Sequence, residues 1–184
     1  MEKQLSFFEF KEDIQNKKIE PQFTKKKLKS VIWTVFTDGA CRGNPGPSGA
    51  GIYIESEALK LKKSFYLGNK TNNQAEYLAL ALAVFILKNE FEKQPKLSHT
   101  LKIVCDSELL VRQIKGVYKI KDSTLKSLKN LISFLLSGVV FEVKHVLREK
   151  NKIADSLANK AVDEKKDSLP KEFSVLLKKF EVIF

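Results

Sequence analysis

Apolar and polar positions along the chain follow one period and then another. From Val31 the run "VIWTVFT" is β-branched and aromatic, "GAGIYIES" follows at hairpin spacing, and "ALKLKKSFYLG" alternates through Leu59, Leu61 and Phe65. Such runs, bounded by turn residues, predict three successive antiparallel strands. The period then lengthens. In "NNQAEYLALALAVFILKNEF" apolar residues recur at helical spacing through Ala75, Leu78, Ala79, Leu82 and Ile86, with Asn72 or Asn73 as N-cap. A buried strand "TLKIVC", helices over residues 107 to 115 and 123 to 137, a strand "VVFEVKHVL" and a helix over 151 to 162 complete the order βββαβααβα. That order predicts an α/β fold with a five-stranded mixed sheet, antiparallel first and parallel afterwards, and helices on both faces.

The ends differ from this centre. Residues 1 to 30 hold the aromatic cluster "FFEF" and then the basic run "TKKKLKS", which predicts a basic N-terminal extension, partly helical or disordered, before a domain spanning residues 31 to 162. Residues 163 to 184 form a C-terminal tail whose weak amphipathic pattern, "FSVLLKKFEVIF", suggests no role. With 184 residues and 43% apolar side chains, one domain can bury a core without disulfides. Cys41 and Cys105 have no metal-like spacing, and the opening "MEKQLSFFEFKED" is neither a signal peptide nor a membrane span. A cytoplasmic monomer with no membrane association is expected. The net charge of +11 adds a polyanionic partner, nucleic acid, to that expectation.

Four acids interrupt the apolar runs. Asp38 lies at or near the end of the first strand, Glu76 in the first turn of the first helix, Asp106 at the end of the fourth strand and Asp155 in the first turns of the helix over 151 to 162. Taken singly, each has an ordinary role: Glu76 and Asp155 meet a helix dipole, and Asp38 and Asp106 suit turns or caps. Taken together, they converge if the first and fourth strands are neighbours, because both aspartates then leave the same edge of the sheet. Acids crowded there repel unless cations sit between them. Carboxylate oxygens suit Mg²⁺ or Mn²⁺, and two such ions about 4 Å apart can clamp a phosphodiester for hydrolysis.

The motifs carrying these acids are "TDGACRGNPGPSGAG", "TNNQAEYLAL", "CDSELLVRQIKG" and "NKIADSLANKA", in that order. They resemble those of type 1 ribonuclease H, over about residues 31 to 162. The resemblance implies the ribonuclease H-like fold and metal-dependent endonucleolytic cleavage of the RNA strand of RNA–DNA hybrids, leaving 5′-phosphate and 3′-hydroxyl ends. It implies Asp38, Glu76, Asp106 and Asp155 as catalytic ligands for two Mg²⁺ ions, with Mn²⁺ as a substitute. A non-catalytic hybrid-binding module is the competing reading, and the presence of all four acids argues against it.

Substrate contacts follow from the same resemblance. Gly39, Asn44, Asn72, Asn73 and Gln74 supply glycine-exposed backbone and amides suited to reading 2′-hydroxyls, and Thr71 offers a hydroxyl to a DNA phosphate. The glycine-proline turn after Asp38 is expected to press backbone against an RNA minor groove. Arg112, Lys115, Lys119, Lys121 and Lys126 surround Tyr118, a basic surface with an interleaved ring suited to a DNA backbone. Trp33 and Cys41 read as packing groups and His99 as a surface residue. One departure stands out. The family's loop histidine before the last acid is missing from the short segment "HVLREKNKIAD", where His145 falls within the preceding strand. Arg148 is the better-placed helper, with Glu149 beside it.

Overall fold

The computed structural model describes residues 30 to 182, so the expected N-terminal extension lies, apart from Ser30, outside the described residues. Strands β1 (Ser30–Cys41), β2 (Gly46–Glu55) and β3 (Lys60–Lys70) form the antiparallel part of the sheet, and β4 (Ser98–Cys105) and β5 (Val140–His145) join it in parallel, in the order β3-β2-β1-β4-β5. The expected five-stranded mixed sheet is present. Side chains of alternating parity enter the two faces, with Trp33 and Val35 on β1 and Ile52 and Ile54 on β2 fully buried.

Helix α1 (Asn72–Glu92) crosses one face and is buried without a break from Ala75 to Val84. It has no solvent side there because α3 (Ser123–Leu135) packs on it, with Leu128 and Leu131 fully enclosed. Its N-cap is Thr71, not the expected Asn72 or Asn73. The Thr71 hydroxyl accepts from the Gln74 backbone N–H, and the Gln74 side chain accepts from the Thr71 N–H at 2.9 Å, a reciprocal capping box. Glu76 therefore lies past the first turn, where the helix dipole gives little reason for an acid. The short α2 (Glu108–Ile114) follows β4.

Helix α4 (Lys152–Glu164) covers the other face over β1, β2 and β3. Its approach explains most of the glycine-rich stretch. A Cβ on Gly51 would stand 2.0 Å from the Ala154 carbonyl oxygen, and one on Gly49 would stand 2.5 Å from that of Ala158. Gly49 and Gly51 thus let a helix backbone rest directly on the sheet. Gly46 serves the turn itself, where a Cβ would meet the Arg42 carbonyl at 2.1 Å.

The C-terminal tail has a role after all. Helix α5 (Lys171–Lys179) buries Phe173 and Leu177 in the core, with Phe173 meeting Phe85 of α1 at a ring-centroid distance of 5.4 Å and Phe180 meeting Phe134 of α3 at 5.2 Å. The lead-in is also tied down, since the Tyr66 N–H on β3 donates to the Asp167 carbonyl. His99 is half-buried and not a surface group: its ring stacks on Phe91 at 4.2 Å, and its Nδ1 accepts from the buried Trp33 indole at 3.2 Å.

Candidate active site

Register opens the site. The parallel pairing of β1 with β4 ends at Phe36 opposite Val104, whereas its antiparallel pairing with β2 continues past Asp38, which faces Gly51, to Cys41. Beyond Phe36 the two central strands separate. Asp38 and Asp106 flank the gap, and α1 delivers Glu76 to it. Gly39 permits that delivery, because a Cβ there would stand 2.3 Å from the Glu76 nitrogen. Gly39 was expected to contact substrate; its structural use is to let β1 and α1 touch.

Carboxylate oxygens of Asp38, Glu76 and Asp106 all lie within 4.8 Å of one another, and Asp38 and Glu76 are buried. Burial and the neighbouring carboxylates of Asp106 and Asp155 push the Asp38 carboxyl up to about 7, against the pull of Arg148 and the Gly39 N–H. Glu76 is raised well above its ordinary value, by burial first and then by Asp38 and Asp106. Its Oε2 is buried with no hydrogen-bond partner. Burial first, and then the same acids, lift the Cys105 thiol to about 12, so it is an inert neighbour. Three clustered oxygen donors, one of them orphaned, fit a hard divalent cation: its charge would relieve the repulsion and its coordination would occupy Glu76 Oε2.

Asp155 stands apart from the three. It lies in the first turn of α4, a quarter exposed, and its Oδ1 accepts a hydrogen bond from the Arg148 guanidinium. It acts on Asp38 through space without joining the cluster. Arg148 sits in a single 3₁₀ turn, Arg148–Lys150, and lines the same cleft as Asp38, Glu76, Asp106, Asn72 and Arg42, a space of about 340 Å³. Glu149 lines a different hollow, beside Phe36 and Tyr53. His145 lies in β5, as the strand pattern predicts, but as its last residue, since the strand stops two residues short of the expected end, and it is exposed. Its Nε2 lies 3.2 Å from the Asp106 carbonyl, so the ring is tied to backbone next to the site.

The expected substrate contacts divide into two groups. Asn44, Asn72 and Asn73 are exposed, and Asn44 Oδ1 accepts from the Asn72 N–H at 3.0 Å, fastening the turn after β1 to the start of α1. Thr71 and Gln74 spend their side chains on the cap. Arg112 is paired with Glu108 at 2.7 Å and lies over the Tyr118 ring, 5.1 Å from its centroid. Lys115, Tyr118 and Lys119 are exposed, and the latter two line a cleft of about 430 Å³ with Lys126 and Lys129 of α3.

Two side chains with positions in this architecture were not foreseen. Gln113 is buried, accepts from the Tyr77 hydroxyl at 2.7 Å and donates to the Lys119 carbonyl, anchoring the basic loop to α1. Asn151 is 1% exposed and donates both to the Thr37 carbonyl at 3.0 Å and to Asp106 Oδ1 at 2.9 Å. The only sequence signal for Asn151 was its place four residues before Asp155.

Known proteins are similar to this chain in sequence and fold. The chain is 33% identical over 132 residues to ribonuclease HI of Halobacterium salinarum, covering 70% of this chain and 63% of that one. The crystal structure of RNase H1 from that archaeon superposes with a TM-score of 0.66 at 32% identity, over 72% of this chain and 98% of that chain. LC11-RNase H1, solved in complex with an RNA/DNA hybrid, gives 0.66 at 39% identity, over 74% and 99%. The chain spans 35% of the length of a bifunctional protein of Mycobacterium tuberculosis to which it is 32% identical, so some relatives are much longer. The family model described as RNase H matches residues 30–163, and with these likenesses it establishes that the chain belongs to the RNase H family.

Proposed function

We propose that the protein is a metal-dependent endoribonuclease that hydrolyses the RNA strand of RNA–DNA hybrids, leaving 5′-phosphate and 3′-hydroxyl ends. The observation that carries this reading is the clustered trio of Asp38, Glu76 and Asp106, the first two buried, with its unpartnered Glu76 oxygen, in a family member whose relative LC11-RNase H1 was solved with a hybrid. Asp38, Glu76 and Asp106 would hold Mg²⁺, two ions per site once Asp155 joins them, with Mn²⁺ as a substitute. Bound there, the ions would supply an activated water and charge stabilisation at the scissile phosphate.

The chain's own groups do the rest. Buried walls around Asp38 and Glu76 keep water from screening the acids, which strengthens their hold on a cation. Arg148, permanently charged, can leave Asp155 for a phosphate oxygen, positioning the backbone without shuttling a proton. Exposed Asn44, Asn72 and Asn73 face the strand carrying 2′-hydroxyls, and Lys115, Tyr118 and Lys119 track the DNA strand. Residues 1 to 30 add non-specific affinity through "TKKKLKS"; their deletion is expected to raise KM and flatten its salt dependence without changing kcat.

The reading extends to a cytoplasmic monomer, in keeping with two free cysteines. Light scattering on the purified chain tests the oligomeric state. The function is tested by incubating the whole chain with labelled RNA–DNA hybrid, duplex RNA and duplex DNA, with Mg²⁺, Mn²⁺ or EDTA. Cation-dependent cleavage confined to the hybrid's RNA strand is expected. Hybrid binding without cleavage under every condition would refute the nuclease reading in favour of a binding module.

A further inference from the structure

Asn151 occupies the N-cap position of α4 yet makes no cap hydrogen bond with its side chain. An asparagine chosen as a cap would turn its oxygen to the first free N–H groups of the helix. Here the amide turns the other way. Both hydrogens of Nδ2 are used, one on the Thr37 carbonyl and one on Asp106 Oδ1, while Oδ1 is buried with no partner. An unmade hydrogen bond at a buried oxygen lowers stability, so the orientation is retained at a cost to the fold.

The two acceptors explain what is gained. Thr37 immediately precedes Asp38, and Asp106 immediately follows β4. The β1–β4 ladder has already ended at Phe36 and Val104, so the ladder no longer ties the two aspartates together. The Asn151 amide bridges that gap from a third element, with one donor for each strand end. Holding Oδ1 of Asp106 restricts the rotation of a carboxylate that lies within reach of Asp38 and Glu76.

Resting on the reading of the three acids as cation ligands, we propose that Asn151 is a positioning residue that sets the Asp38–Asp106 geometry for divalent-cation binding. Groups that orient metal ligands in this way typically change metal affinity or activity by about 10- to 100-fold when removed.

The test uses the full chain and three measurements: Mn²⁺ affinity by calorimetry, hybrid affinity by fluorescence anisotropy in EDTA, and kcat with KM. Asn151→Ala is expected to weaken Mn²⁺ binding about 10- to 100-fold and to lower kcat comparably, with KM and metal-free hybrid affinity unchanged within about twofold. Asn151→Ser, which keeps one donor and can serve only one acceptor, should fall between. Wild-type Mn²⁺ affinity in the alanine variant would overturn the proposal, as would an equal loss of hybrid affinity, which would indicate general loosening. If the alanine variant does not fold, the serine variant decides by the same criteria. Because the Mn²⁺ titration needs no cleavage, a wild-type chain that binds Mn²⁺ but leaves the hybrid intact would refute the nuclease reading and not this one.

Discussion

Replacing Asp38 by asparagine should make the protein more stable as the pH rises, and the structure sets the size of the effect. Asp38 is 5% exposed, and its carboxyl is pushed from 3.8 to about 7. The folded state therefore favours the protonated acid. The stability associated with this group is fully present below about pH 4 and is lost as pH rises through about 7. A shift of about three units at 1.36 kcal/mol each gives a ceiling of about 4 kcal/mol. Glu76, raised by burial and then by Asp38, shares the excess protons, so the expected gain is about 2–4 kcal/mol at pH 8. Asparagine has the shape of the protonated acid and does not titrate, so the two proteins should be equally stable at pH 4. The assay is urea unfolding in EDTA from pH 4 to 8, with m unchanged between the two. Adding Mn²⁺ at about 100 times its Kd should then stabilise the wild type by about 2.7 kcal/mol and the variant by less. Cleavage should fall below a tenth of wild type throughout. A stability difference that is flat in pH, or a variant less stable at pH 8, would refute the electrostatic account of the cluster.

Further outcomes follow from other contacts. Gly51→Ala places a methyl group against the α4 backbone and should destabilise the fold by about 1–3 kcal/mol, measured by thermal melting, with kcat reduced because α4 carries Asp155. Arg148→Ala should lower kcat about 10- to 100-fold, the loss of one or two charge-assisted contacts. His145→Ala should leave kcat within about threefold and cost about 1 kcal/mol of stability; the reverse pattern would make the histidine the catalytic helper. Phe173→Ala should cost about 3–5 kcal/mol in denaturant while kcat of the folded fraction stays unchanged.

Much of this architecture was legible in local pattern. Alternation marked β1 to β3, and the switch to helical spacing marked α1, because each element presents a face to one core. The acids were legible because each breaks an apolar run where an element begins or ends. Other features depend on partners remote in sequence. The Thr-x-x-Gln box at Thr71 was readable, but the neighbouring asparagines are equally good caps in isolation. Gly49 and Gly51 open the strand run "GAGIYIES", yet nothing local announces a helix arriving more than a hundred residues later. Phe173 sits in a weak amphipathic stretch whose meaning comes from Phe85. Asn151 carries little signal beyond its place before Asp155, because its two acceptors, a backbone carbonyl and an acid 45 residues away, come together only in the folded chain.

The bare glycines beneath α4 also bear on heat. Where a helix rests on a sheet through long side chains, rotamer changes let the two layers slide and breathe as temperature rises. Gly49 and Gly51 remove that cushion, leaving backbone on backbone with little more than Ala154, Ala158 and Ala161 at the contact. Asn151, Asp155 and Arg148 are thereby referenced to β1 and β4 through a joint with few soft degrees of freedom. The consequence is an all-or-none thermal profile: the catalytic geometry should survive warming until the sheet and α4 separate, so inactivation and melting should coincide, with no premelting decline in turnover.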